Sequence, residues 1–455
     1  MIGRDRSDKF DAIFKAYDVR GRVDTGELDE ETAERIGAGF ACFVEAPVVA
    51  VGRDCRASSP SLAAALIEGI RWQGVDVVDL GMIPTEVLYF HSGSRSMPGV
   101  VVTASHNPAG YNGFKMCLRG AAPLGMGSGL GRIKHLAGAE GIALPARGRG
   151  RVTHHDPMPA YLDHLLSIVD PAGIGPLRVV ADGGNGMAGL VLGGLFDRLE
   201  ADLTGLYLEP DGTFPNHPAD PLDRTNLEDL IRMVRSGSAD AGVAFDGDAD
   251  RAVFADEDGE PLSGSVTTSI ISRWYLGRRP GARIVHNLIC SKSVSEAIRA
   301  EGGVPIRTRV GHSFIKRVMA DTGAVFGGEH SGHYYFRDNY GADSGMLAML
   351  VVLTVLTEAG VPLSVLRQTN DPYATSGEIN TVVPDAAASI EAVAAGFSGH
   401  EQDRLDGLTV DLGDRWFNLR PSNTEPLLRL NVEAPDRYGV DELAAEVIAV
   451  ISATG

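Results

Sequence analysis

The sequence predicts an α/β protein of four domains, and three observations carry that expectation. At 455 residues the chain holds roughly three domains of about 150 residues, with two or four within range. Short β-branched runs ending in small-residue turns recur through its first three-quarters: APVVAVGRD (46–54), PGVVVTASHN (98–107), LRVVADGGNG (177–186), AGVAFDGDADR (241–251) and ARIVHNLICSKS (282–293). Helical patterns follow several of them, and strand–turn–helix repetition builds α/β domains on parallel or mixed sheets. The C-terminal stretch differs in style. WFNLRPSNTEPLLRLNVEA (416–434) reads as strand–loop–strand, and VDELAAEVIAVIS (440–452) as an amphipathic helix with Leu443, Val447, Ile448 and Ile451 inward.

In SSPSLAAALIEGIRW (58–72), Ser59 is placed to cap a helix, Pro60 suits its first position, and Leu62, Leu66, Ile67 and Ile70 share one face. Boundaries fall where such periodicity breaks: at the basic, Gly-rich ARGRGRVTHHD (146–156), at the acidic DEDGEP (256–261) and at QTNDPYATSGE (368–378). The expected domains are 1–150, 151–255 and 256–370, each α/β with a mixed sheet, then a smaller α+β domain over 371–455. The Gly- and Ser-containing segment near residue 376 is expected to be the hinge of that last domain.

Composition narrows the function classes. With 41 basic and 60 acidic residues the net charge is −19, a surface that repels nucleic acid and anionic membranes. An anionic substrate must therefore be captured by locally placed Arg and Lys. Cys42, Cys55, Cys117 and Cys290 have no CxxC spacing and read as free thiols of a reducing compartment. MIGRDRSDKFDAIF has no signal-like apolar core and no apolar run spans a bilayer, so a soluble cytoplasmic monomer or dimer is expected.

Two loops carry chemistry. In VVVTASHNPAGYNGFKM (100–116), the valines end a strand and Asn107, Pro108 and Gly110 form a turn, which leaves Ser105 where the chain exits the sheet. On these residues alone a nucleophile and a turn serine bonded to its own backbone both fit. In FDGDADR (245–251), Asp246, Asp248 and Asp250 alternate after an apolar strand, so their carboxylates can converge on a hard cation. A calcium loop is the alternative. Counted from Asp246, Glu257 falls on its twelfth position, but the sixth, which requires glycine, is Arg251. Magnesium is preferred. A seryl phosphate beside Mg²⁺ is a phosphoryl donor, and it persists between turnovers because phosphate monoesters hydrolyse extremely slowly.

TASHNP (103–108), DGDADR (246–251), GEHSGH (328–333) and RPSNTEP (420–426) resemble, in order and one per expected domain, the four signature loops of the α-D-phosphohexomutases. The resemblance runs from AYDVRG (16–21) to the C-terminus and is strongest to the bacterial phosphomannomutase/phosphoglucomutase branch. It implies a four-domain phosphohexomutase architecture around a central cleft, with hexose phosphates as the small-molecule partners. Ser105 would carry the phosphoryl group and, with Asp246, Asp248 and Asp250, hold Mg²⁺. A hexose 1,6-bisphosphate would be intermediate and activator. Arg20 would grip the transferring phosphate, Lys115 would do proton work or stabilise charge, and His106 would orient the serine loop. Arg251 joins this catalytic group, and His333 matches an acid–base histidine. Tyr17, Gly311, His312 and Lys292 would contact the sugar, and Glu329 with Ser331 would read O3 and O4. Arg420, Ser422, Asn423 and Thr424 would hold the phosphate not being transferred, with Arg429 assisting. Without the resemblance, Lys115 reads as a surface lysine, His333 as a packing histidine and the last loop as a polar turn.

His330 stands where relatives often carry methionine or glutamine, and RPSNTEP lacks the glycine usual in phosphoglucosamine mutases. The expected activity is therefore interconversion of mannose 1-phosphate and mannose 6-phosphate, and of the glucose phosphates. The alternatives are a phosphoglucosamine mutase, a phosphatase that needs no bisphosphate, and a sugar-phosphate-binding protein that has lost turnover. Retention of Ser105 and all three aspartates argues against the last.

Overall fold

The computed structural model describes residues 9–139, 148–237, 239–422 and 427–453. Four sheets succeed one another along it. The first runs β1(Val19–Arg22), β5(Tyr111–Cys117), β4(Gly99–Val102), β2(Val48–Arg53), β3(Asp76–Met82), β6(Val152–His154). Strands β4, β2, β3 and β6 are parallel, while β5 and β1 close the other end antiparallel. Strands buried on both faces need apolar residues at successive positions, which is why Val49–Val51 and Val100–Val102 are fully buried. The sheet takes its edge strand from beyond residue 150, at Val152–His154.

The second sheet runs β10(Ala252–Ala255), β9(Ala241–Phe245), β7(Arg178–Asp182), β8(Asp202–Leu206). The third runs β12(Val304–Thr308), β11(Arg283–Asn287), β13(Phe326–Gly328), β14(Tyr334–Phe336), β15(Ala342–Asp343). Each mixes parallel pairs with an antiparallel edge. The fourth is wholly antiparallel: β16(Ala374–Val382), β20(Leu427–Ala434), β19(Trp416–Pro421), β18(Leu408–Asp411), β17(Glu401–Asp403). The expected three mixed α/β sheets and one α+β domain are therefore present.

The helix after β2 begins at Ser59 itself, a residue earlier than a Ser59 cap requires. The Ser59 hydroxyl instead donates to Asp54 Oδ1 at 2.5 Å, so the loop has claimed it. Leu62, Leu66 and Ile70 face the core as expected. The segment near residue 376 is no linker: it lies inside β16, where Ser376 Oγ accepts the Val432 N–H at 2.9 Å. Glycine there serves a β-bulge, with Gly377 at φ 67°.

One apolar core runs through the first three sheets, joining Leu88, Tyr161, Leu192, Phe254, Trp274, Phe336 and Leu350. The C-terminal domain has its own, from Val383 to Ile451, with Leu443 and Val447 in it. No single described helix is long and apolar enough to cross a membrane; one bent pair passes on length and composition, and its first helix, Gly345–Ala359, is buried in the shared core over Met346–Leu353.

Candidate active site

Ser105 is buried, follows β4 and has φ 51°. A non-glycine residue holds that left-handed backbone only when its surroundings over-determine it, at a cost of roughly 1–3 kcal/mol. Here they do. Its N–H donates to Thr103 Oγ1 at 3.0 Å, and its carbonyl accepts from Arg56 at 2.7 Å. Arg56 is 1% exposed and also donates to the carbonyls of Asn107, Pro108 and Tyr111, while Asp54 neutralises it at 3.1 Å. One buried guanidinium thus fixes the whole serine loop. The loop must also approach the acidic loop closely, and glycine allows it: a Cβ on Gly247 would collide with the Ser105 carbonyl.

The three aspartates lie on that acidic loop between β9 and β10, all buried, with carboxylate oxygens within 4.8 Å of one another. Ser105 Oγ donates to Asp246 Oδ2 at 2.8 Å. Thr85, the first residue of the helix Thr85–Arg95, donates to Asp248 Oδ2 at 2.5 Å. Burial and the charges of Asp248 and Asp250 push the Asp246 pKa well above the carboxylate range. Burial opposes the charge of Asp248 too, but Lys115 outweighs it and its pKa is lowered. Asp248 Oδ1 and Asp250 Oδ1 are buried without hydrogen-bond partners among the described residues. Converging anionic oxygens with spare lone pairs suit a hard divalent cation such as Mg²⁺. The calcium reading fails on the twelfth residue, since Glu257 is turned away to accept from Ser364 N–H at 3.0 Å.

Cations ring these carboxylates. Lys115 Nζ donates to Asp248 at 2.7 Å and also to Asp250. Burial works against its charge, but these two partners prevail and its pKa is raised, so Lys115 stays an ammonium. Arg20 donates to Ala104 O and, at 2.5 Å, to Asn107 Oδ1. Arg251 Nε donates to His333 Nε2 at 2.9 Å and lies 3.7 Å from Asp246 Oδ2. His333 Nδ1 faces Asp343 Oδ2 at 3.0 Å, so the ring carries its proton on Nδ1. Lys316, at 2.7 Å, locks Asp343 in turn. His106 Nδ1 is 3.4 Å from Ser105 Oγ, and the Arg251 charge, with burial, takes its pKa down to about 2. His106 is therefore neutral. A cavity of about 270 Å³ is lined by Tyr17, Arg20, Ser105, His106, Lys115, Asp250, Arg251, His312, His333 and Asp343.

Tyr17 bridges to a second cavity. Its hydroxyl donates to Val310 O at 3.4 Å, and its ring meets His312 edge-on at 5.1 Å. Gly311, at φ 128°, leaves room for it, because a Cβ there would stand 2.6 Å from the Tyr17 hydroxyl. Val310 lines this second space of about 630 Å³ with His330, Ser331, Glu378, Arg420, Arg429 and Asn431. Glu329 lies buried behind it, its carboxylate held by Tyr335 and, at 3.1 Å, by Asn287. His330 Nδ1 is anchored 3.0 Å from Ser265 Oγ. Ser422 donates its N–H to Leu427 O at 2.9 Å, next to Arg420 and Arg429. Asn423 and Thr424 lie outside the described residues.

Lys292 does not join either group. Its Nζ donates to Asp411 Oδ1 at 3.1 Å and to Gly413 O at 2.6 Å, on the C-terminal domain, beside a separate cavity of about 280 Å³. Sequence reasoning missed Arg56, Thr85, Asp343, Lys316 and Glu378. Lys316 closes RVGHSFIK (309–316), where only Gly311 and His312 had been singled out, and Glu378 stood in a stretch mistaken for a hinge.

Four family models match in sequence order, described as phosphoglucomutase/phosphomannomutase alpha/beta/alpha domains I, II and III and C-terminal domain, over residues 11–127, 159–259, 263–373 and 378–450. Among curated proteins, phosphohexose mutases of Xanthomonas campestris pv. campestris are 40% identical over 92% of this chain and 94% of theirs. The phosphomannomutase of Escherichia coli K12 is 38% identical over the same shares. The crystal structure of a phosphoglucomutase/phosphomannomutase family protein from Burkholderia thailandensis superposes with TM-score 0.89 at 33% identity, covering 99% of this chain and 98% of that one. With its four domains in order and a cation-ready acidic loop against Ser105, the chain belongs to the phosphoglucomutase/phosphomannomutase family and is a phosphohexomutase, an enzyme of the phosphotransferase–isomerase kind.

Proposed function

We propose that this enzyme interconverts mannose 1-phosphate and mannose 6-phosphate, and the corresponding glucose phosphates, through a phosphoserine at Ser105 and a bound hexose 1,6-bisphosphate. The observation that carries this reading is Ser105 Oγ, 2.8 Å from Asp246 within the buried aspartate cluster and inside a cavity lined by Arg20, Lys115 and Arg251. Asp246, Asp248 and Asp250 would hold Mg²⁺, which when bound polarises phosphoryl oxygens and neutralises charge.

The chain's own groups do the rest. Arg20 and Lys115 stabilise the equatorial charge of the phosphoryl group in flight. The proton-handling group is His333, which lines the cavity, with Nδ1 3.0 Å from the Asp343 carboxylate and Nε2 accepting from Arg251. Arg251 donates into the Nε2 lone pair here, and an anionic phosphate on Ser105 offers the guanidinium a better partner. As the sugar hydroxyl attacks in line, the bond from phosphorus to Ser105 Oγ breaks, and the hydroxyl proton ends on that oxygen by way of His333. Each oxygen of Glu329 already accepts one hydrogen bond and keeps a lone pair for a sugar hydroxyl. If Glu329 and Ser331 read only O3 and O4, the O2 that separates mannose from glucose goes uninspected and both are substrates. Arg420, Ser422, Asn423, Thr424 and Arg429 are the grip for the other phosphate.

The test is direct. Mannose, glucose and glucosamine 1-phosphates are supplied separately with catalytic 1,6-bisphosphate and Mg²⁺, and the 6-phosphates are followed. Mannose and glucose should turn over within about tenfold of each other, and a chelator should stop both. A preference above ~10⁴ for either would show that another group reads O2.

A further inference from the structure

The phosphate grip contains its own anion. Glu378 Oε2 accepts from Arg420 Nη2 at 2.9 Å, and Glu378 Oε1 lies 3.1 Å from Arg429 Nη1. Arg420 and Arg429 are cross-strand partners on β19 and β20, so one carboxylate lies across both guanidinium groups. Its aim is set by the bulge in β16. Pairing passes from Thr375↔Glu433 to Glu378↔Asn431, three residues forward on one strand against two on the other. Without the extra residue Glu378 would oppose Leu430, whose side chain belongs to the C-terminal core. The inserted residue flips it onto the face that Asn431 and Arg429 share. Bulges beside functional sites re-aim side chains in this way, and here the re-aimed one is an acid among the groups expected to bind an acid.

Spare donors stand round it. Arg420 Nε, Arg429 Nε and Asn431 Nδ2 are buried without hydrogen-bond partners among the described residues, and their side chains line the cavity of about 630 Å³ with His330 and Ser331. The cavity thus has donors left for a ligand while Glu378 occupies the outer nitrogens. Two guanidinium charges less one carboxylate leave a single net positive charge for a phosphate that carries close to two negative ones.

We propose that Glu378 is a resident counterion that competes with the substrate's distal phosphate for Arg420 and Arg429 and so keeps the grip weak enough to release. The proposal rests on the mutase reading above, in which the bisphosphate must let go of this site and turn between two transfers. A grip of two unopposed arginines would hold the phosphate through that turn and slow it. With Glu378 present, each arginine exchanges one carboxylate or phosphate partner for another and none is left unpaired, so release needs no bare buried cation.

Glu378→Gln removes the charge and keeps the shape. Its side chain is about one-third exposed, so the fold does not depend on it. Mannose 1-phosphate and mannose 6-phosphate binding is measured by calorimetry on the full chain of wild type, Glu378→Gln and Arg420→Ala, together with kcat, KM and bisphosphate released per turnover. Glu378→Gln should bind both ligands roughly three- to tenfold tighter, with KM lowered, kcat lowered because the turn slows, and less bisphosphate escaping. Unchanged or weaker binding would overturn the proposal, weaker binding meaning that Glu378 merely orients the arginines. Arg420→Ala separates the two readings. If it binds like wild type, the phosphate grip itself is misplaced; if it binds weakly while Glu378→Gln is unchanged, only the counterion role falls.

Discussion

Around Ser105 the carboxylates and cations are buried in a core that three sheets build together, and one buried arginine pins four carbonyls of the serine loop. Around Arg420 the groups sit on a sheet with its own core, partly exposed, with spare donors and a competing carboxylate. The first arrangement suits a centre where a reacting atom must be placed to a fraction of an ångström. The second suits a site that must take a phosphate, drop it and take a different one. Rigidity and release are thus assigned to different cores of one chain, and each can be broken without the other.

The largest effect should come from Ser105→Ala. Turnover should be lost altogether, and intact-mass analysis after bisphosphate treatment should show one phosphate on wild type and none on the variant. Stability should change by only about 1 kcal/mol, since one hydrogen bond to Asp246 is removed. Normal turnover would end the phosphoserine mechanism.

Next in size is Arg56→Met, a fold-level break of the rigid region. It leaves Asp54 buried without its partner and frees four loop carbonyls at once. Removing one member of a buried pair costs about 3–5 kcal/mol. The urea midpoint of the shared core should fall, while hydrogen-exchange protection across Trp416–Pro421 in the separate C-terminal core should stay as in wild type. Equal losses in both would mean the cores are not independent.

Arg420→Ala works on the yielding region instead. If one site receives either phosphate after the turn, both 1-phosphate and 6-phosphate substrates should weaken by similar factors, about ten- to a hundredfold or ~1.4–2.7 kcal/mol. More bisphosphate should then accumulate in solution before the second transfer. Weakening in one direction only would contradict a shared site.

These two regions were also unequally legible. Strand ends declare themselves by β-branched runs meeting small residues, so β4 with Ser105 and β9 with the three aspartates could be read directly, and the grouping of sheets with them. Arg56 could not, because its partners are backbone carbonyls 49 to 55 residues away and no side-chain pattern marks a carbonyl acceptor. Asp343 and Lys316 were silent for a similar reason: their pairing depends on how β15 and the helix His312–Thr322 meet, not on spacing. Glu378 shows the subtler failure. Thr-Ser-Gly-Glu has the composition of a hinge and of a β-bulge alike, and only the ladder on either side decides between them.

A pH slope tests whether the rigid core is also the pH-sensitive one. Glu86, next to Thr85, is fully buried where the three units meet: Ser344 donates to its Oε2 at 2.5 Å, and Tyr161 lies beside it. Burial raises its pKa from 4.5 to about 8. In the folded protein the carboxyl therefore keeps a proton that the unfolded chain releases once pH rises past 4.5, so stability falls as pH climbs from there towards 8 and levels off above. The slope from one such proton is at most about 1.4 kcal/mol per pH unit. Glu86→Gln keeps a neutral acceptor for Ser344 and has no proton to lose, so its stability relative to wild type should grow steadily between pH 5.5 and 8. Urea midpoints of both proteins across that range measure the difference, in which all other titrations cancel. Parallel curves would mean that Glu86 ionises like an ordinary glutamate despite its burial.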